Sequence, residues 1–277
     1  VHRHHKIYHS NQLNYSTTTT RNREDIDAIP LIKIHSCSTL HSFTCFFVFH
    51  QTLVENFMTI LITGANRGIG LALAKYEAAR GHDVIGTARG ALPASKDRLT
   101  WEHLEVTDHA SHIALASRLE GKPIDLLVCN AGIYPDRGQQ LESGYPPEMW
   151  TDAFTINVTG VFMIIQTLLP NIRAAHGKIA IISSQMASDT KAPGGAYIYR
   201  ASKAAVLNLG RNLATDLRNE GIPVGIYHPG WVRTEMGGSS ADIGVDESAH
   251  GLAERFDALS IETTGCFECW DGRAHPY

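Results

Sequence analysis

Several common biochemical signatures are missing or thin in this sequence. Its five cysteines, Cys37, Cys45, Cys129, Cys266 and Cys269, are odd in number and scattered. That pattern excludes the framework of a small disulfide-stapled secreted domain and is expected of a reducing, cytoplasmic compartment. A basic surplus is also lacking: 24 Lys and Arg stand against 28 Asp and Glu, a formal net charge of -4, so neither nucleic acid nor an anionic membrane is an expected partner. The most apolar N-terminal stretch, 43–54, contains His50 and Gln51, is too short to span a bilayer, and has no small-residue cleavage site behind it. Metal ligands in a convincing pattern are absent too. Cys266-Phe267-Glu268-Cys269 has no second pair or histidine cluster beside it, and residues three apart on a strand face opposite ways, so no metal is expected. Asp108, Asp125 and Asp152 show no pairing of the kind glycoside hydrolysis needs.

What is present divides into two regions. Residues 1–57 hold seven of the fifteen histidines and a Thr17–Thr20 run, with no sustained period of 3.6 or 2 residues, so little independent structure is expected there. Met58 opens an apolar run ending in Gly64 and is read as the physiological start, the preceding residues being an upstream extension or, alternatively, a natural tail. From 58 to 277 a single domain is expected. Its 277-residue chain is 43% hydrophobic, enough for a sizeable core. Strand-like runs at 58–63, 82–87, 101–106, 124–129, 177–183, 223–228 and 265–270 alternate with helical patterns at 68–80, 110–120, 148–170, 197–220 and 246–259. Such alternation predicts an α/β fold, a doubly wound parallel sheet in three αβα layers, with ligands beyond the carboxyl ends of the strands.

The first strand runs into Thr63-Gly64-Ala65-Asn66-Arg67-Gly68-Ile69-Gly70, where glycines permit a sharp turn, close approach of a pyrophosphate and tight helix packing. Amides at the following helix start suit an anion. Tyr199 and Lys203 lie four apart, on one face of a predicted helix, and no other of the nine tyrosines has a lysine at that spacing. A neighbouring ammonium favours the phenolate, which is expected to move Tyr199 toward the range useful for proton transfer. Tyr197 is a competing phenol, read as a pocket wall.

The spacing G-x-x-x-G-x-G, with Asn130-Ala131-Gly132, Asn157, Ser184, Tyr199-Arg200-Ala201-Ser202-Lys203 and Pro229-Gly230 in that order, resembles the short-chain dehydrogenase/reductase family. His228 to Gly238 resembles small carbonyl reductases of the Sniffer and C-factor type. The resemblance implies a Rossmann fold and hydride transfer between a nicotinamide and a small carbonyl or alcohol substrate, with Tyr199 as general acid or base. It further implies that Lys203 holds the nicotinamide ribose, Ser184 polarises the carbonyl oxygen and Asn157 supports a water in a proton relay. Ser183 and Ser188 are alternatives to Ser184, because the interval to Tyr199 is longer than the family's usual spacing. Asn157 is open to a second reading, as a buried amide satisfied by backbone. Asn130, Ala131 and Gly132 resemble the segment passing the adenosine ribose. Glu105 and Val106, at the end of the third strand, resemble the adenine contacts. Pro229 and Gly230 end another strand, and Val232 and Thr234 resemble residues that meet the carboxamide and pyrophosphate.

At the end of the second strand, Ala88 stands where a carboxylate would select NAD. Arg89 follows it and Arg67 sits in the glycine-rich turn, so two guanidinium groups are expected at a 2′-phosphate and NADP is favoured over NAD. The helices at 148–170 and 197–220 resemble those that pair subunits in the family, implying a homodimer or homotetramer, with intramolecular packing as the alternative use of their apolar faces. A different class of function, a dinucleotide-binding signalling or regulatory protein of the C-factor type, competes with the enzyme. The intact Tyr199 and Lys203 pair favours the enzyme.

Overall fold

Ile60 and Ile62 leave the first strand on one face and Leu61 on the other, and all three are fully buried. Burial on both faces is why a run of consecutive branched residues forms a strand inside a parallel sheet rather than at an edge. The computed structural model describes residues 57–277. The expectation of little structure before Met58 lies outside these residues, apart from Phe57, whose ring packs 4.9 Å from the Arg98 guanidinium.

Seven strands, β1 (Thr59–Ile62), β2 (Asp83–Ala88), β3 (Leu99–His103), β4 (Leu126–Cys129), β5 (Lys178–Ile182), β6 (Val224–His228) and β7 (Phe267–Cys269), form one parallel sheet in the order β3-β2-β1-β4-β5-β6-β7. The chain winds outward from β1 to β3, then returns to β4 on the other side of β1. The crevice at that reversal lies beyond the carboxyl ends of β1 and β4, where such sheets hold their ligands.

On one face the helices α1 (Gly68–Ala79) and α6 (Val245–Ala258) bring Leu73, Leu252 and Phe256 against Ile60, Ile62 and Val128. On the other, α2 (His109–Arg118), α4 (Gly160–Ala175) and α5 (Tyr197–Leu217) supply Leu115, Ile164, Ile165, Leu168 and Val206 against Leu61 and Leu127. The expected three layers are therefore present. Each strand and helix expected from the alternation has its counterpart, with shifts at the ends. The third strand stops at His103, so Glu105 and Val106 stand in the connection beyond it.

The segment expected as one helix over 148–170 is interrupted. Helix α3 (Pro147–Phe154) passes into a π-helical turn, Thr155–Thr159, before α4 begins. A π turn carries an extra residue and turns its side chains relative to the α-helices on either side. Here it brings Asn157 into the interior, with no exposed surface. Among the described residues the run Pro147–Ala175 is long and apolar enough to cross a membrane by length and composition. In this fold the α4 portion lies against β4 and β5, with Ile164, Leu168 and Ile172 buried in the sheet's core.

At the opposite end of the sheet from the crevice, α1 buries Glu77 to 1% exposure. Arg80 bonds the Glu77 carboxylate at 2.9 Å and Asp257 at 2.6 Å, with His82 Nε2 3.8 Å from Glu77. Burial, aided by Asp257, outweighs the pull of Arg80 and raises the Glu77 carboxyl from 4.5 to about 7. A carboxyl raised in the folded state favours folding below its unfolded value and loses that contribution as pH rises through the folded one, on the order of 3 kcal/mol by about pH 7. Glu77→Gln keeps the shape without the ionisation. It should raise the Tm at pH 8 by a few degrees and leave it unchanged near pH 4.5; a Tm lowered at pH 8 would show that the charged pair with Arg80 stabilises the fold instead.

Candidate active site

The first turn of the site is fixed by a hydrogen-bonded seam between β1 and β4. Thr63 Oγ1 accepts from the amides of Asn130 and Ala131, both at 3.0 Å. Asn130 Nδ2 donates to the carbonyls of Thr63 at 2.9 Å and Gly64 at 3.2 Å. Gly64 lies at φ +63°, in the left-handed region, and a Cβ at Gly70 would stand 2.5 Å from Asn130 Nδ2. Asn130 thus joins the glycine-rich turn to the neighbouring strand, which its sequence motif did not disclose.

From this turn a cavity of about 950 Å³ runs past Arg89, Glu105 and Val106 on one side and Asn130, Ala131 and Gly132 on the other, ending at Tyr199, Lys203, Pro229 and Thr234. Gly64, Asn66, Arg67, Gly68, Ile69 and Gly70 form its floor. Gly230 and Val232, expected in the same place, line instead an adjoining cavity of about 340 Å³ with Ser184, Tyr134, Arg137, Met186, His228 and Trp231. The two cavities share Ile69, Ser183, Tyr199, Pro229, Thr234 and Met236. They meet where a cofactor and a substrate would face each other. A glycine-floored cradle of this length, with exposed guanidinium groups at one end and a buried phenol at the other, fits a dinucleotide.

Tyr199 and Lys203, one turn apart on α5, are both buried. The expectation that the ammonium would draw the phenol down is not met. Desolvation pushes Tyr199 up to about 12, with the neighbouring Ser184 hydroxyl pulling the other way and Tyr134 and Asp136 adding to the rise. Desolvation also pulls Lys203 down to about 8. Its Nζ lies 5.7 Å from the Tyr199 ring centre and donates to the Ile182 carbonyl at 2.9 Å. Burial disfavours the charged form of each group, and it dominates both shifts.

The three candidate serines separate by their partners. Ser183 Oγ donates to the Lys203 carbonyl at 3.0 Å, tying β5 to α5. Ser188 Oγ is 2.8 Å from Thr190 Oγ1 and donates to the Tyr277 carbonyl at 3.1 Å. Ser184 Oγ accepts from Met186 N at 3.1 Å and is the hydroxyl beside the Tyr199 phenol.

Asn157 has every polar group of its side chain engaged by protein. Oδ1 accepts from Ile133 N at 2.8 Å, and Nδ2 donates to Ile133 O and Ser202 Oγ, both at 2.9 Å. Of the two sequence readings, the satisfied buried amide describes its side chain.

Other expected residues take modified places. The Glu105 carboxylate turns back to accept from Thr107 N and Oγ1 at 3.3 and 3.0 Å. Tyr197 is exposed, packs edge-on against Tyr145 and lines neither cavity, because it begins α5 on the outer side. Arg67 is paired with Glu235 across the cavity, whereas Arg89 has no ion-pair partner among the described residues. Cys266 lies just before β7, 3.8 Å from the Tyr227 hydroxyl, and Cys269 is buried within it; both are free. No metal-ligating cluster occurs among the described residues.

Sequence reasoning missed Tyr134 and Asp136. Tyr134 stacks on the Tyr199 ring, with centres 4.3 Å apart and planes at 22°. Asp136, with no exposed surface, accepts from Ile198 N at 2.7 Å. Their one local signal was position, immediately after Asn130-Ala131-Gly132.

The sequence profile described as short chain dehydrogenase matches residues 58–242. The chain belongs to that family. Among curated relatives, C-signal of Myxococcus xanthus is 36% identical over 166 residues, spanning 59% of this chain and 99% of that protein. Among solved structures, the NADPH-bound carbonyl reductase from chicken fatty liver superposes with a TM-score of 0.72 at 31% identity, covering 80% of this chain and 99% of that one. The carbonyl reductase Sniffer of D. melanogaster does so with a TM-score of 0.75 at 26% identity, covering 80% and 100%. The protein is thus a short-chain dehydrogenase with an oxidoreductase fold and a pocket for a small-molecule substrate.

The Asn130 seam gives the family's glycine-rich turn a test of its own. Gly70→Ala sets a methyl group against Asn130 and the Gly64 carbonyl, an overpacking of about 1–3 kcal/mol. A lowered Tm together with a raised Kd for NADPH, measured by fluorescence titration, is expected; unchanged values for both would show that the turn yields freely and is not the cradle.

Proposed function

We propose that this short-chain dehydrogenase is an NADPH-dependent carbonyl reductase with Tyr199 as its general acid. The observation that carries the reading is the meeting of the two cavities at a buried Tyr199 with Ser184 beside it. A bound dihydronicotinamide supplies a hydride to the carbonyl carbon, and the proton that completes the alcohol must come from the protein. With its proton held to about 12, Tyr199 is a neutral phenol throughout the physiological range and can donate to the oxygen as negative charge develops. Ser184 offers a second donor to that oxygen. Lys203, an ammonium below about pH 8, stands where it can hold a ribose hydroxyl and stabilise the phenolate left after transfer. The reverse oxidation uses the same groups in the opposite sense.

The smaller cavity suits an apolar carbonyl compound. Met186, Trp231, Met236 and Tyr134 wall it, and His228, held down to about 4 by burial and its neighbour His275, is a neutral polar contact within it. The free cysteines among the described residues accord with a cytoplasmic enzyme. Pairing through α4 and α5 into a homodimer or homotetramer is part of the same reading, supported by Phe162, which is 39% exposed on α4.

The likeness to C-signal favours a second reading, a dinucleotide-binding signalling protein, and turnover decides between them. Tyr199→Phe should abolish NADPH oxidation in the presence of aldehydes, ketones or quinones while leaving the Kd for NADPH nearly unchanged. Ser184→Ala should lower kcat more than Ser183→Ala or Ser188→Ala does. Near-normal kcat in Tyr199→Phe would remove the tyrosine from the mechanism, and an inactive parent that binds NADPH tightly would favour the signalling role.

Selection of NADPH rests on Ala88, on Arg89 and on Arg67, which a 2′-phosphate would have to draw from Glu235. Each charged hydrogen bond at such a phosphate contributes about 1.5–3 kcal/mol, less in salt at an open site. The double substitution Ala88→Asp with Arg89→Gln should therefore shift preference toward NADH by roughly tenfold or more, chiefly in KM. Steady-state kinetics with both cofactors check it, and a parent that already prefers NADH in kcat/KM would contradict the assignment.

A further inference from the structure

Helix α5 starts without a cap of its own. Residue Ala196 enters it at φ +49° with only a methyl side chain, and no local group accepts the helix's first amides. Unpaired amides at a buried helix start are costly. The partner comes from the loop after β4: Asp136 Oδ2 accepts from Ile198 N at 2.7 Å, and both carboxylate oxygens lie 3.2–3.3 Å from Tyr199 N. This carboxylate is completely buried and has no ion-pair partner among the described residues. Its charge is met by the amides and positive end of α5, which favours an anion there.

The same loop is registered at its beginning and touches the reacting group on its way. Asn157 clamps Ile133 through both its amide and its carbonyl, and the next residue, Tyr134, stacks on the Tyr199 ring. Arg137 then donates to the Met236 carbonyl at 3.0 Å, on the far wall of the smaller cavity. A capping residue serving only stability has no need to sit two residues from a side chain stacked on the site's phenol.

We propose that Asp136 is a positioning residue, which by accepting from the first amides of α5 holds the Tyr199 phenol in place where the two cavities meet. The proposal rests on the reading of Tyr199 as the acid. The groups facing Tyr199 are Tyr134 and Asp136 from this loop, Ser184 from the end of β5 and Lys203 from its own helix. Arg137 and Arg200 act on Tyr134 from the outer side. Among the charged groups in contact with the start of α5, Asp136 is the anion, so its removal eases ionisation of the phenol.

The test uses the full chain with NADPH and 4-nitrobenzaldehyde, comparing Asp136→Asn and Asp136→Ala with Asp108→Ala. Asp108 caps α2 through Ala110 N at 3.0 Å, away from either cavity, so its loss controls for weakening a helix cap. Asp136→Ala should lower kcat roughly tenfold or more with the Kd for NADPH within about a factor of two, while Asp108→Ala lowers Tm and leaves kcat unchanged. Asp136→Asn, which keeps an accepting oxygen and the shape, should retain more activity but move the high-pH limb of the kcat profile to lower pH. If Asp136→Ala does not fold, that pH profile decides. Parental kcat and an unshifted profile in Asp136→Asn would reduce Asp136 to an ordinary cap and overturn the proposal. A parent with no turnover dependent on Tyr199 would instead overturn the reading of the tyrosine, and this proposal with it.

Discussion

The seam between Thr63 and Asn130 is the constraint on which the rest of the site depends. Strands β1 and β4 are neighbours in the sheet but distant in the chain, and the crevice between their ends exists because the winding reverses there. Thr63 and Asn130 close that junction with four hydrogen bonds, setting the glycine-rich turn against the loop that leaves β4. From that fixed point the loop passes Gly132, is caught at Ile133 by Asn157, and delivers Tyr134 and Asp136 to the start of α5. The glycine-rich turn and the Tyr199 end of the cleft are therefore joined by one short stretch of backbone. Its hydrogen bonds are buried or partly so, where each unmade bond costs more than it would in water.

Burial also decides the electrostatics. A tyrosine and a lysine one helical turn apart would be a mutually stabilising pair at a surface, yet here both are withdrawn from solvent and each is displaced toward its neutral form. For the proposed reduction this is a useful resting state. A phenol that keeps its proton is a donor, and a lysine that gives up its charge more readily than usual responds strongly to whatever negative charge arrives beside it. Glu77 follows the same rule at the other end of the sheet, where burial overrides a direct contact with Arg80. Direct pairing in this molecule is secondary to solvent exclusion.

The π turn at Thr155–Thr159 shows how a local irregularity serves a distant requirement. A continuous α-helix over 148–170 satisfies the apolar pattern of the sequence equally well. The wider turn instead points Asn157 inward, where its amide holds a backbone segment 24 residues earlier. The periodicity of side chains cannot show such a turn, since both forms bury nearly the same residues.

Much of this protein was legible in order along the chain. Alternating apolar runs and helical periods determined the seven strands and the layers around them, because each pattern matches the repeat of its backbone. The glycine spacing marked the turn that floors the larger cavity, and the four-residue interval marked the buried pair Tyr199 and Lys203, because both are relations between near neighbours. Tertiary structure alone decided which serine stands beside the tyrosine, that Gly230 and Val232 face the smaller cavity, and that Arg67 meets Glu235. It alone brought Asp136 to a helix whose first amides lie 62 residues further on. Those outcomes depend on the register of strands and the path of loops across the sheet, and on solvent exclusion that no single segment produces by itself.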